Sequence, residues 1–133
     1  MIKSFEEIDD ISLEIKNIFP TGGIVLLVGD LASGKTSLVK NFTKVLGVKD
    51  EVTSPTFSIL NIYDDFIYHY DIYNEGSSKF LQSGLLENLE LEGYHFIEWA
   101  DENLEKYLKS AGLKYIKVSI SPSGEKREYR IDV

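Results

Sequence analysis

Five consecutive apolar residues, Ile24-Val25-Leu26-Leu27-Val28, run straight into Gly29-Asp30-Leu31-Ala32-Ser33-Gly34-Lys35-Thr36, and this junction constrains the fold more than any other stretch. Pro20-Thr21-Gly22-Gly23 breaks the chain before the run and the glycine-containing loop breaks it after, so the run reads as a short strand. A strand apolar at every position has no solvent face, so it belongs inside a sheet covered by helices on both sides. Lys35 to Leu46 supplies the first such helix. Leu38, Phe42, Val45 and Leu46 recur at helical spacing, and Gly47 is placed to cap the end.

The loop matches G-x-x-x-x-G-K-[ST] at Gly29, Gly34, Lys35 and Thr36. Glycine at the first two positions permits backbone angles that a β-carbon would block, so that successive amide N–H groups point inward at an anion. The helix beginning near Lys35 aims the positive end of its dipole at the same point. Lys35 then reaches the β- and γ-phosphates of a nucleoside triphosphate, and the Thr36 hydroxyl is placed to coordinate Mg²⁺. The nucleotide contacts expected are Gly29, Asp30, Leu31, Ala32, Ser33, Gly34, Lys35, Thr36 and the adjacent Ser37. No N-K-x-D stretch of the kind that reads guanine follows, so ATP and ADP are the expected nucleotides.

The remaining elements follow from periodicity. Ser4 and Glu7 have capping-box spacing ahead of Phe5, Ile8, Ile11, Ile15 and Ile18, which predicts an amphipathic helix over 5–18. Runs 57–63 and 66–73 are strand-like and separated by Asp64-Asp65, which is hairpin spacing. Residues 78–89 read as a helix with a break at Gly84, 94–99 as a second buried strand, and 102–108 as a short helix before Gly112. Residues 114–121 and 128–133 alternate as a terminal hairpin around Pro122-Ser123-Gly124. The fold class is α/β: a P-loop three-layer α/β/α arrangement on a small mixed sheet that includes antiparallel hairpins.

With 133 residues, 43% of them hydrophobic, the chain is expected to form a single domain over 1–133. It has no cysteine, which excludes disulfides and thiolate metal sites and fits a cytoplasmic setting. The acidic run Glu6, Glu7, Asp9 and Asp10 follows the amino-terminal methionine too closely for a signal peptide, and five apolar residues are too few to cross a membrane. The formal net charge of −8 disfavours direct nucleic-acid binding. The one dense basic cluster, Lys126, Arg127 and Arg130, reads as a solvated strand face.

A phosphate loop binds; hydrolysis needs a second group to order metal and water. Glu98 ends the 94–99 strand, where a Mg²⁺-ordering carboxylate belongs, although an acid at a strand end is equally well a solvated one. Asp71 stands in Tyr68-His69-Tyr70-Asp71-Ile72-Tyr73, and an acid among aromatics is either paired with a cation or used in chemistry. Thr56, in Ser54-Pro55-Thr56-Phe57, sits where a switch segment could sense the γ-phosphate, or forms an ordinary proline turn. His69 shares a strand face with Asp71 and is given no catalytic role, as an ordinary core or surface histidine. The catalytic candidates are therefore Asp71, Glu98 and Thr56, with Thr36 and Glu98 as metal ligands.

Together these stretches resemble the TsaE (YjeE) family of bacterial ATPases, whose pattern runs G-D-L-G-A-G-K-T, S-P-T-[FY], H-x-D-[LI]-Y-R and [IV]-E-W. Here the matching segments are 29–36, Ser54-Pro55-Thr56-Phe57, His69-Tyr70-Asp71-Ile72-Tyr73-Asn74 and Ile97-Glu98-Trp99. Ala32-Ser33 replaces the family's Gly-Ala, and Asn74 its arginine. The resemblance implies an ATPase that supports formation of N6-threonylcarbamoyladenosine in tRNA as an accessory to a TsaB–TsaD heterodimer, touching tRNA only indirectly. It also implies that Trp99 lies near the nucleotide. Two alternatives stand beside it. A small-molecule kinase is disfavoured because the only arginines are Arg127 and Arg130. An ATP-gated protein-binding module with incidental hydrolysis fits the acidic charge.

Overall fold

The apolar run 24–28 becomes the middle of the sheet. The computed structural model describes residues 2–5, 7–29, 34–49, 60–72, 85–124 and 126–133. In chain order they form β1 (Ile2–Phe5), α1 (Ile8–Ile18), β2 (Gly23–Val28), α2 (Lys35–Val45), β3 (Leu60–Tyr63), β4 (Ile67–Asp71), a 3₁₀ helix (Leu85–Glu90), β5 (Tyr94–Glu98), α3 (Glu102–Ser110), β6 (Tyr115–Ser123) and β7 (Lys126–Asp132). All strands join one seven-stranded sheet in the order β1-β7-β6-β2-β5-β4-β3. The inner strands β6, β2, β5 and β4 are parallel, whereas β3, β7 and β1 add antiparallel at the edges.

Alternation along the strands builds two cores. Val25 and Leu27 of β2 face the side covered by Ile11 and Ile15 of α1 and Leu38, Val39 and Phe42 of α2. Ile24 and Leu26 face the side covered by Leu89, Leu104 and Leu108. This is the three-layer α/β/α arrangement, and it explains why β2 has no polar position to spare. Phe42 meets the rings of Tyr94 and Phe96 edge-on at 4.7 and 5.0 Å, which holds α2 above β5. That packing decides which strand end lies beside the first turn of α2.

Helix ends follow local chemistry. Gly47 takes φ +78°, its N–H bonds Lys44 O at 3.0 Å, and Val48 N–H bonds Thr43 O at 2.9 Å. This paired closure uses a left-handed residue that glycine adopts without strain. At the start of α3, the Asp101 carboxylate accepts from Leu104 N–H at 3.1 Å. No helix among the described residues is long and apolar enough to cross a membrane.

Several expectations are corrected. The helix expected over 5–18 begins at Ile8, because Ile2–Phe5 pairs antiparallel with β7 as an edge strand. The Ser4–Glu7 capping box does not form: Ser4 lies in that strand, and Glu7 caps α1 without a side-chain hydrogen bond. Of the helix expected over 78–89, the described part, 85–89, lies in a 3₁₀ helix that runs to Glu90. The hairpin around Asp64-Asp65 forms, with both residues at positive φ and Phe66 N–H bonded to Tyr63 O at 3.3 Å. β4 spans Ile67–Asp71 where 66–73 was expected, β3 is described from Leu60, and residues 57–59 and Tyr73 lie outside the described residues. The terminal hairpin is longer, since Pro122 and Ser123 continue β6 with Arg127 and Lys126 as partners. Proline is admissible there because β6 has by then run past the end of β2 and has an open edge.

Candidate functional site

The Gly29–Thr36 motif follows the carboxyl end of β2, where parallel strands present their ends to ligands. Gly34 is the residue before α2 and takes φ +106°, a conformation that side chains rarely adopt. Its carbonyl accepts from Leu38 N–H at 3.0 Å, so the helix starts here and points its positive end at the loop. Lys35 and Thr36 occupy the first turn.

The Lys35 side chain is buried. Its ammonium donates to Gly29 O at 2.6 Å and lies 3.7 Å from the centroid of the Trp99 ring. Trp99 reaches that position because its backbone turns left-handed, φ +68°, directly after β5. An L-residue held there costs about 1–2 kcal/mol, strain of a kind that collects at functional sites. The Trp99 ring thus stands directly against the lysine of the Gly29–Thr36 motif.

Glu98 is not a solvated strand-end carboxylate. It is 4% exposed, and its Oε2 accepts from the Thr36 hydroxyl at 3.2 Å and from His69 Nε2. A carboxylate only accepts, so Nε2 carries a proton and donates it. Among the described residues, the buried Nδ1 has no hydrogen-bond partner. Hydroxyl and carboxylate oxygens converging beside a helix N-terminus form a hard-donor set that suits Mg²⁺, which takes one or two protein ligands and completes its shell with phosphate and water.

Asp71, the last residue of β4, is the register partner of Glu98. The period of two places it on the same face as His69 and Glu98, so the structure brings together both acids and the lysine named from sequence. Ser37 is exposed on the outer side of α2. Asp30, Leu31, Ala32, Ser33 and Thr56 lie outside the described residues.

Sequence reasoning missed His69. Its two-residue spacing from Asp71 placed the two on one strand face, but no local signal showed that β5 would set Glu98 against the imidazole. On the other face, the second histidine, His95, is buried between β4 and the 3₁₀ helix. Its Nε2 donates to Leu91 O at 2.9 Å, its Nδ1 accepts from the Tyr70 hydroxyl at 2.8 Å, and its ring stacks on Tyr68. Burial lowers its pKa, partly offset by the Leu91 carbonyl. Burial likewise raises that of Tyr70, with a smaller contribution from neighbouring Tyr68. This network is structural, since it faces away from the loop. A cavity of about 670 Å³ lined by Glu105, Lys109, Leu113 and Tyr115 lies at the amino-terminal end of β6 and touches none of the site residues.

The family model described as threonylcarbamoyl adenosine biosynthesis protein TsaE matches residues 2–130. The chain is 33% identical over 108 residues to the tRNA threonylcarbamoyladenosine biosynthesis protein TsaE of Treponema pallidum, covering 77% of this chain and 80% of that one. It is 34% identical over 119 residues to the protein of the same name from Bacillus subtilis, covering 80% and 74%. The crystal structure of Bacillus subtilis YdiB matches with a TM-score of 0.62 at 26% identity, covering 98% of this chain and 86% of that one.

Proposed function

The chain belongs to the TsaE family of tRNA threonylcarbamoyladenosine biosynthesis, and from that premise we propose that it is a Mg²⁺-dependent ATPase acting in the cytoplasm as the accessory subunit of a TsaB–TsaD heterodimer. The observation that carries the ATPase reading is the convergence of Thr36, Glu98 and His69 beneath the first turn of α2. A phosphate loop whose hydroxyl meets a buried carboxylate has both halves of a nucleotide–metal site.

In this reading Gly29, Gly34 and Lys35 hold the phosphates, and the Lys35 ammonium neutralises charge on the transferred group. Thr36 and Glu98 hold Mg²⁺, which when bound supplies Lewis-acid stabilisation of the phosphoryl oxygens. His69 holds the Glu98 carboxylate in one orientation through Nε2–H, as outer-shell partners of metal ligands do. Asp71, beside Glu98 at the end of β4, is placed to accept a hydrogen bond from the attacking water. Trp99 covers Lys35 and shields the site from bulk solvent. The partner assignment rests on family membership, and the net charge of −8 favours a protein partner over direct contact with tRNA.

The test is phosphate release from ATP with and without purified TsaB–TsaD. Turnover is expected to rise in the complex and to be lost in Lys35→Ala, while Asp71→Ala should cost turnover more than nucleotide affinity. Unchanged ATP affinity in Lys35→Ala refutes the phosphate-site assignment. Absence of a complex at micromolar protein refutes the partner.

A further inference from the structure

The carboxyl-terminal hairpin carries a cation to the phosphate loop. β2 ends its pairing with β6 at Val28–Ser119, but β6 continues through Ile120–Ser123, paired with β7 as far as Ser123–Lys126. The hairpin therefore projects past the end of β2, toward Gly34 at the start of α2. Within β7 the period of two sorts the basic residues that sequence reasoning grouped as one solvated face. Tyr129 and Ile131 are buried in the core beneath α1 and α2, so Arg127 shares their side, the side of α2. Lys126 and Arg130 fall on the opposite side.

The result is a close approach. A β-carbon at Gly34 would stand 2.7 Å from Arg127 Nη1, 2.8 Å from Cζ and 3.0 Å from Nε. The guanidinium thus lies flat against the glycine that precedes α2. Arg127 is exposed, and among the described residues no carboxylate pairs with it. A chain with 22 acidic residues and only 14 basic ones has nonetheless set a guanidinium with no carboxylate partner among the described residues against the positive end of a helix. Two positive ends repel unless an anion lies between them.

The flank decides which part of the anion. Lys35, Glu98 and Asp71 cluster on the β5–β4 side of the loop, so the phosphoryl group to be transferred lies there. Arg127 comes from the β6–β7 side. We propose that Arg127 binds the α- and β-phosphates, the part the nucleotide keeps as diphosphate, and closes the phosphate site from the flank opposite Glu98. This rests on the phosphate-site reading above. A guanidinium fork matches phosphate oxygens in pairs and strengthens as negative charge builds on the leaving diphosphate.

The test is equilibrium binding of ADP and of a non-hydrolysable ATP analogue, each with Mg²⁺, to wild type, Arg127→Ala, Arg127→Lys and Lys126→Ala. Arg127→Ala should weaken both nucleotides by a similar factor of about ten. Arg127→Lys should recover part of the loss, and Lys126→Ala should change neither by more than about twofold, because a distant exposed charge is screened. Far-UV circular dichroism checks that each variant is folded. Wild type that binds both nucleotides while Arg127→Ala binds them equally well overturns the inference alone. So does a loss confined to the triphosphate analogue, which would put the guanidinium on the terminal phosphate, and so does an equal loss in Lys126→Ala, which would reduce the effect to net charge. Wild type that binds neither nucleotide overturns the underlying phosphate site and the inference with it.

Discussion

Glu98 and His69 form a buried pair whose energy can be isolated with a double-mutant cycle. His69→Phe keeps a planar ring in the same space and removes the Nε2–H that Glu98 accepts. The carboxylate, 4% exposed, is left with the Thr36 hydroxyl at 3.2 Å. Loss of a hydrogen bond to a buried charged group costs about 1.5–3 kcal/mol. Glu98→Leu leaves Nε2–H buried without its acceptor and costs about 1–3 kcal/mol. The double variant restores a matched apolar pair, so its cost should fall well short of the sum, giving a coupling energy of about 2 kcal/mol. The orphaned Nδ1 does not disturb this figure, because its removal is common to His69→Phe and to the double variant and cancels in the cycle. At about 2.1 cal/mol/K per residue, 133 residues give an unfolding entropy of about 0.28 kcal/mol/K, so each kcal/mol moves the midpoint about 3–4 °C. Thermal unfolding by circular dichroism without nucleotide or Mg²⁺ resolves such shifts. Additivity within about 0.5 kcal/mol would refute the pairing of His69 with Glu98.

Two further outcomes follow from the other face and from α3. The pKa of His95 lies below its ordinary 6.5 in the folded chain, so the unfolded chain binds the extra proton, and stability is full above about pH 6.5 and falls as the pH drops through it. Protonation turns Nδ1 from acceptor to donor against the Tyr70 hydroxyl, and the loss reaches no more than about 1.4 kcal/mol per pH unit. Unfolding midpoints of wild type and His95→Gln between about pH 8 and 5.5 should therefore converge toward acid, and parallel curves would contradict this account. Asp101→Ala removes the acceptor for Leu104 N–H and should lower stability by about 1 kcal/mol, a midpoint drop of about 3–4 °C. ADP affinity, measured by titration calorimetry, should stay unchanged, because the cap faces α3 and not the loop.

Much of the molecule is legible in local pattern. The apolar run 24–28, Gly34 before Lys35, and Gly47 after Leu46 encode a buried strand, a helix start and a capped helix end through interactions that span only a few residues. The same locality misled at the amino terminus. Ser4 and Glu7 have helix-start spacing, yet Ile2–Phe5 gains more by completing the sheet edge on β7, a partner more than a hundred positions away in the chain. Residues 78–89 have helical spacing too, and their described end closes as 3₁₀ to place Leu89 against the second core.

Tertiary structure alone decided which groups share the site. The sequence by itself placed the G-x-x-x-x-G-K-[ST] motif between β2 and α2 and nominated Asp71 and Glu98 from residue type and strand-end position, while Trp99 was nominated by the family resemblance. Whether Glu98 is solvated or buried depended on register, and β4 set His69 and Asp71 beside it while Phe42 held Thr36 above it. The side on which each basic residue of the last strand falls was equally undetermined until the sheet order put β7 two strands from β2. Hydrogen bonding between strands is blind to side-chain chemistry, so which residues become neighbours across a sheet is settled by the packing of the whole core and cannot be read from any one segment.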